Sequence, residues 1–239
     1  MATPSSYDAG FYRDIMDGSY RSARAILEFL FGWHRPLSVV DFGCGVGTWL
    51  KAARELGVAD TLGLDGDYVD RKLLQIPAEC FRPTDLSKPV PALGRTYDLA
   101  VSLEVAEHLP DSRADGFVAD VAAAADVVLF SAAIPGQGGN HHVNERFPSY
   151  WIPRFASHGF RCYDAVRPHF WGRPEIEVWY RQNVLVFTRA LELPGARPEP
   201  ASYDLVHPEY WASPRVIRRR ARQARKSEWR ARLGLAPRS

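Results

Sequence analysis

Two short clusters in this 239-residue chain bring together side chains that could do acid–base or metal chemistry. One is Glu104-Val105-Ala106-Glu107-His108. The other is His141-His142-Val143-Asn144-Glu145, which follows the glycine-rich loop Gly136 to Asn140. If residues 104–108 open a helix, Glu104, Glu107 and His108 stand at i, i+3 and i+4 and share one face. Two carboxylates and an imidazole would then converge. An imidazole from His141 or His142 would complete a four-ligand set for an octahedral divalent ion, with positions left open for substrate oxygens. Without an ion, His108, His141 or His142 could serve as a general base toward a hydroxyl. The expected catalytic residues are therefore His108, His141, His142 and Glu107, and the expected metal set is Glu104, Glu107, His108 and His142.

A third cluster is the glycine turn Asp41-Phe42-Gly43-Cys44-Gly45-Val46-Gly47. Glycine lets a backbone approach a ligand closely, and the turn joins an apolar strand pattern to a helical one. Its spacing is G-x-G-x-G, one residue tighter than the G-x-G-x-x-G that accommodates a pyrophosphate. Asp65 follows Gly45 by twenty residues, at the end of the next strand, where a carboxylate can accept hydrogen bonds from both hydroxyls of a ribose. Asp85 follows a third strand in Thr84-Asp85-Leu86, and Ser102-Leu103-Glu104 ends a fourth.

These four elements, in this order over about residues 10–190, resemble the class I methyltransferases. The resemblance implies S-adenosylmethionine as cofactor, held by Asp41, Gly43, Gly45, Gly47, Asp65, Asp85, Ser102 and Glu104. The E-x-x-E-H pattern with a later histidine resembles the magnesium site of the small-RNA 3′-terminal 2′-O-methyltransferases, which implies Mg²⁺ or another divalent ion gripping neighbouring hydroxyls. Pro135 to Gly139 and Pro148-Ser149-Tyr150-Trp151 are similar to segments of actinobacterial O-methyltransferases of natural-product and polysaccharide pathways. The activity this implies is O-methylation of a sugar, an oligosaccharide such as a mannoside, or another hydroxylated small molecule. An RNA 3′-terminal 2′-O-methyltransferase and a non-catalytic cofactor-binding module remain alternatives.

The elements that must position these residues are legible in the apolar pattern. Ile15, Tyr20, Ala23, Ile26, Leu27 and Leu30 have helical spacing. Strands are expected at 37–42, 61–64, 80–82, 97–103, 127–133, 161–166 and 183–188, with helical patterns between most of them. Such alternation predicts an α/β fold: a Rossmann-like, seven-stranded, mostly parallel sheet flanked by helices, with a basic C-terminal helical tail. The expected divisions are a helical segment over the cofactor site at 1–36, the catalytic domain at 37–190, and a linker with the tail at 191–239. The aromatic segment Phe170 to Tyr180 could stack on a planar acceptor or belong to the core.

Composition narrows the functional classes. The chain is 46% hydrophobic and has a net charge of +2, but residues 212–239 hold ten of its 30 Lys and Arg and one of its 28 acids. The tail is thus +9 and the remainder −7, so the body lacks the basic footprint of a nucleic-acid binder. Three scattered cysteines predict neither a disulfide framework nor a thiolate metal site. With no apolar run long enough for a membrane span and no leader pattern in the first ten residues, a cytoplasmic protein is expected, acting on a small acceptor as a monomer or homodimer.

Overall fold

The computed structural model describes residues 9–197 and 199–212, with side chains described from residue 17. The basic helix expected over 213–233 lies outside the described residues. Seven strands form one sheet: β1 (Ser38–Phe42), β2 (Asp60–Asp65), β3 (Phe81–Pro83), β4 (Leu99–Leu103), β5 (Val127–Ser131), β6 (Arg161–Tyr163) and β7 (Leu185–Thr188). Their order is β3-β2-β1-β4-β5-β7-β6. Six strands run in one direction, and β7 alone is reversed, antiparallel to both β5 and β6.

Among the described residues seven α-helices accompany the sheet: α1 (Ala9–Phe31), α2 (Thr48–Glu55), α3 (Ala114–Ala124), α4 (Pro148–Ala156), α5 (Arg167–Phe170), α6 (Val178–Asn183) and α7 (Pro208–Ala212). Strands β1, β4, β5 and β7 are buried throughout, as central strands covered on both faces must be. Alternate residues therefore feed two cores. Val39, Leu99, Val101 and Leu103 meet Ile26, Leu27 and Leu30 of α1 and Leu50 of α2. Val40, Phe42 and Ala100 meet Phe117 and Val121 of α3 and Trp151 and Phe155 of α4.

Several boundaries differ from the expectation for physical reasons. Strand β4 begins at Leu99 rather than Tyr97, because Tyr97 bridges only to Ala125 while the Asp98 carboxylate accepts hydrogen bonds from the Leu37 and Ser38 amides. Residues 191–212, expected as the start of a linker, are packed against the domain. Buried Arg167 forks onto Asp164 at 2.7 and 2.8 Å and donates to the Tyr203 carbonyl at 2.9 Å. Arg197 reaches the same Asp164 at 2.5 Å, and the Tyr203 hydroxyl donates to the Cys162 carbonyl at 2.7 Å. Phe170, Tyr180 and Trp151 belong to the cores. Among the described residues no helix is long and apolar enough to cross a membrane.

Candidate functional site

The carboxyl ends of β3, β2, β1 and β4 open onto one cavity of about 710 Å³, the place where an open α/β sheet presents its ligand site. Asp85 and Leu86 line it beyond β3, Asp65 and Tyr68 at β2, Gly43 at β1, Glu104 and His108 beyond β4, and His141 from the loop after β5. The first turn is held from beneath by the Leu64 carbonyl, which accepts the Gly43 amide at 2.7 Å and that of Cys44 at 3.2 Å. Gly43 has φ 89°, and a Cβ there would lie 2.3 Å from Val105, so only glycine fits. Gly45 and Gly47 also have left-handed backbones, and Gly47 starts α2. A Cβ on Gly45 would meet nothing within 4 Å.

Asp65 ties this turn to the next strand. Its Oδ2 accepts the Gly45 amide at 2.7 Å, and its Oδ1 accepts the Gly66 amide at 2.6 Å and the Tyr68 hydroxyl at 2.5 Å. Tyr68 itself is 85% exposed, so its ring stands at the cavity mouth. Asp85 is held by the hydroxyl and amide of Ser87 and by Lys88, and its pKa falls to about 2, the Ser87 hydroxyl being the main cause. Four residues expected at the cofactor do not line the cavity: Gly45 and Gly47 of the turn, and Asp41 and Ser102. Asp41 is buried in β1, where desolvation and then the charge of Asp65 push its carboxyl well above the ordinary range. Ser102 is buried in β4 with an unpartnered hydroxyl.

The helix expected from residue 104 does not form. Glu104 has φ 56°, and the chain makes only a 3₁₀ turn at Ala106–His108. Glu104 consequently parts from Glu107 and His108. The Glu104 carboxylate accepts the side-chain amide of Gln137 at 2.6 Å on Oε2 and that of Asn183 at 3.0 Å on Oε1. Burial raises its pKa, while Asn183, Ser131 and Gln137 oppose the rise. Glu107 instead turns into the protein, 0% exposed, with no hydrogen-bond partner on either carboxylate oxygen. Desolvation, then the charge of Glu104, pushes its carboxyl well above the usual range.

The histidine loop is pinned to this turn because the Glu107 carbonyl accepts the Val143 and Asn144 amides at 2.9 and 3.0 Å. Donor atoms of Glu107, His108 and His142 come within 4.8 Å of one another; Glu104 is not in that group. The His108 and His142 rings meet edge to face, with centroids 4.8 Å apart. Desolvation and then His142 lower the pKa of His108. His142 Nδ1 lies 3.2 Å from Glu145 Oε1, and Glu145 also accepts the Gly136 and Gly138 amides at 2.8 and 2.5 Å. His142 faces a second cavity of about 500 Å³ with Gly136, Gly138, Val143 and Glu145, whereas exposed His141 lines the first.

Sequence reasoning passed over Tyr68 and Asn183 and gave Gln137 and Glu145 no role of their own. Gln137 and Glu145 lie in the loop already singled out, and the carboxylate three residues after His142 was a usable signal. Nothing in the local pattern marks Asn183, which is 79 residues from Glu104.

A family model described as a methyltransferase domain matches residues 12–173. No curated protein matches the chain. Solved structures of similar fold include human N-acetylserotonin methyltransferase in complex with SAM, at 16% identity and a TM-score of 0.51. The alignment covers 76% of this chain and 55% of that one, so the chain spans about half the length of the human protein. Magnesium protoporphyrin IX methyltransferase from Synechocystis PCC 6803 with bound SAM aligns at 20% identity, covering 78% of this chain and 87% of that one, with a TM-score of 0.52. The sugar N-methyltransferase KedS8 from Streptoalloteichus sp. ATCC 53650 aligns at 17% identity, covering 79% and 98%, with a TM-score of 0.52.

Proposed function

The chain belongs to the class I S-adenosylmethionine-dependent methyltransferases, and from that premise we propose that it methylates a hydroxyl oxygen of a sugar or similarly hydroxylated small molecule. The observation that carries this reading is the junction of two features: the cavity beneath four strand ends, and the Glu107–His108–His142 group meeting it at His108. The cavity suits the cofactor chemically. Its adenine would lie by Leu86 and Asp85, its ribose hydroxyls against Asp65, and its amino-acid end beside the glycine turn, where Gly43 leaves no room for a side chain. When bound, S-adenosylmethionine supplies an electrophilic methyl carbon on a sulfonium sulfur.

An alcohol is a weak nucleophile, so the protein must orient it and take up its proton. The lowered pKa of His108 keeps its ring neutral near pH 7 and able to accept a hydrogen bond. Exposed His141, on the cavity wall beside it, offers a second imidazole to receive the proton. Glu145 holds the His142 ring in one orientation.

Glu107, His108 and His142 would also hold a divalent ion, which when bound lowers the pKa of a coordinated hydroxyl. The fit rests on Glu107, a fully buried carboxylate with both oxygens unpartnered; such a group is costly unless a cation accompanies it. Two imidazoles and one carboxylate suit Mn²⁺, Fe²⁺, Co²⁺ or Zn²⁺ better than Mg²⁺, which prefers oxygen ligands and retained waters.

A small acceptor is favoured over RNA because the acidic excess of residues 1–211 would repel a phosphate backbone. The test is release of S-adenosylhomocysteine across a panel of sugars, glycosides and phenols, with RNA 3′ ends included, before and after EDTA treatment and with each ion restored. Turnover of a glycoside supports the reading. Turnover of RNA alone, with steep salt dependence, would replace it. Full activity in EDTA would remove the ion and leave the imidazoles as bases.

A further inference from the structure

This inference rests on the cofactor reading above. The cavity crosses four adjacent strand ends in the order β3, β2, β1, β4, and with neighbouring strands about 4.8 Å apart it runs for roughly 14 Å. That is close to the length of an extended adenosyl amino acid. A nucleoside placed at β3 and β2 by Leu86 and Asp65 therefore brings its sulfur to β1 and β4. Glu104 is the carboxylate that lines the cavity there.

The wall is chemically one-sided. Asp65, Asp67, Asp85 and Glu104 line the cavity, and among the described residues no lysine or arginine does. Glu104 is also fixed in place. Its backbone is left-handed, a conformation shared among the described non-glycine residues only by His141, on the same wall; such strain persists only where the surroundings enforce it. The Gln137 and Asn183 amides donate one hydrogen bond to each carboxylate oxygen, which favours the anion and leaves lone pairs on both oxygens. Asn183 is held in turn by Gln182, which accepts the backbone amide of His207. A half-buried carboxylate oriented by neutral amides, with no cationic side chain paired to it among the described residues, lacks a positive partner there. A sulfonium is one.

We propose that Glu104 is the counter-charge to the cofactor's sulfonium and the residue by which the site distinguishes S-adenosylmethionine from S-adenosylhomocysteine. In the transfer, the acceptor oxygen forms a bond to the methyl carbon, the carbon–sulfur bond breaks with its electron pair going to sulfur, and the acceptor proton passes to an imidazole. Sulfur becomes a neutral thioether. Glu104 then has no charge to hold, which favours release of the product over the cofactor.

The test is calorimetric titration of the full chain, in EDTA, with S-adenosylmethionine, S-adenosylhomocysteine and sinefungin, whose protonated amine replaces the methyl sulfonium. The native protein is expected to bind both cationic ligands more tightly than the neutral thioether. Glu104→Gln, which keeps shape and loses charge, should narrow that preference about tenfold, the effect of about 1.4 kcal/mol, mainly by weakening the cationic ligands. An unchanged preference in folded Glu104→Gln protein would overturn the assignment. So would an equal loss for all three ligands, which would place Glu104 against the amino-acid group they share. If the variant does not fold, the native arm still decides: equal affinity for charged and neutral ligands refutes the proposal. If none of the three binds native protein, the cofactor reading itself fails and this inference with it.

Discussion

His142 Nε2 occupies the place where a side chain on residue 139 would begin, since a Cβ on Gly139 would lie 2.0 Å from it. The imidazole can stand against His108 and Glu145 only because residue 139 has no side chain. Gly139→Ala is therefore expected to push the ring out of the Glu107–His108 group, lowering turnover at least tenfold, while S-adenosylmethionine affinity changes less than about threefold because the anchors beyond β1, β2 and β3 are untouched. Parallel measurement of kcat and cofactor Kd checks this split. Equal losses in both would show that the two cavities are not separable.

Tyr68 and a ribose would compete for Asp65. The phenol and the Gly66 amide already use Oδ1, leaving room for one further donor on Oδ2 beside Gly45. Tyr68→Phe removes the competing donor and is expected to tighten S-adenosylmethionine binding a few-fold. Asp65→Ala should weaken it by about 10- to 100-fold, the size of one or two charge-assisted hydrogen bonds. Titration of both variants tests the pair of signs. A weaker Tyr68→Phe complex would mean that the phenol stays in the bound site.

The buried carboxyl of Glu107 makes stability depend on pH. Its folded pKa lies above its ordinary value, chiefly through desolvation, so the folded state binds this proton more tightly than the unfolded chain. The associated stability is present at acidic pH and is lost as pH rises through the folded value. In metal-free buffer, Glu107→Gln should leave Tm almost unchanged near pH 5 and raise it near pH 8, where about 1–3 kcal/mol of buried charge is relieved. Added Mn²⁺ or Zn²⁺ should stabilise the native protein but not the variant. A native Tm indifferent to every ion would argue against a metal at this group.

Ending the chain after Arg189 deletes Arg197 and Tyr203, and with them one partner of buried Asp164 and one of buried Arg167. Loss of about 2–4 kcal/mol is expected, visible as a lower denaturation midpoint, because breaking a buried ion network leaves charge uncompensated. A chain ending after Ala212 keeps every one of these contacts and should bind cofactor like the full protein. Equal stability of the two truncations would show that residues 190–212 add nothing to the fold.

What the sequence made legible was whatever depends on local spacing. Val39, Val40 and Phe42 predict a doubly covered strand, the three glycines a tight turn after it, and Asp65 a carboxylate at the next strand end; the strand is buried, all three glycines have left-handed backbones, and Gly43 and Asp65 line the cavity. The helical reading of 104–108 failed because the Glu104 backbone answers to partners far away in the chain. Its amide hydrogen-bonds to Ser131 and its carboxylate to Gln137 and Asn183, and no windowed pattern contains those distances. The same limit hid the packing of residues 199–212, whose proline and glutamate content reads as a connector until Arg167 and Gln182 supply its hydrogen bonds.

The reversed strand β7 has a consequence for how the molecule is made. Val127 of β5 pairs with Thr188 of β7, so a nascent chain completes β1 to β5 well before the partner of β5 is synthesised. During that interval Val127-Val128-Leu129-Phe130-Ser131, buried along its whole length in the finished protein, is an uncovered apolar edge, the kind of strand that pairs with other chains. Vectorial synthesis thus leaves the β5 edge uncovered until β7 emerges, and misassembly on the ribosome should begin there.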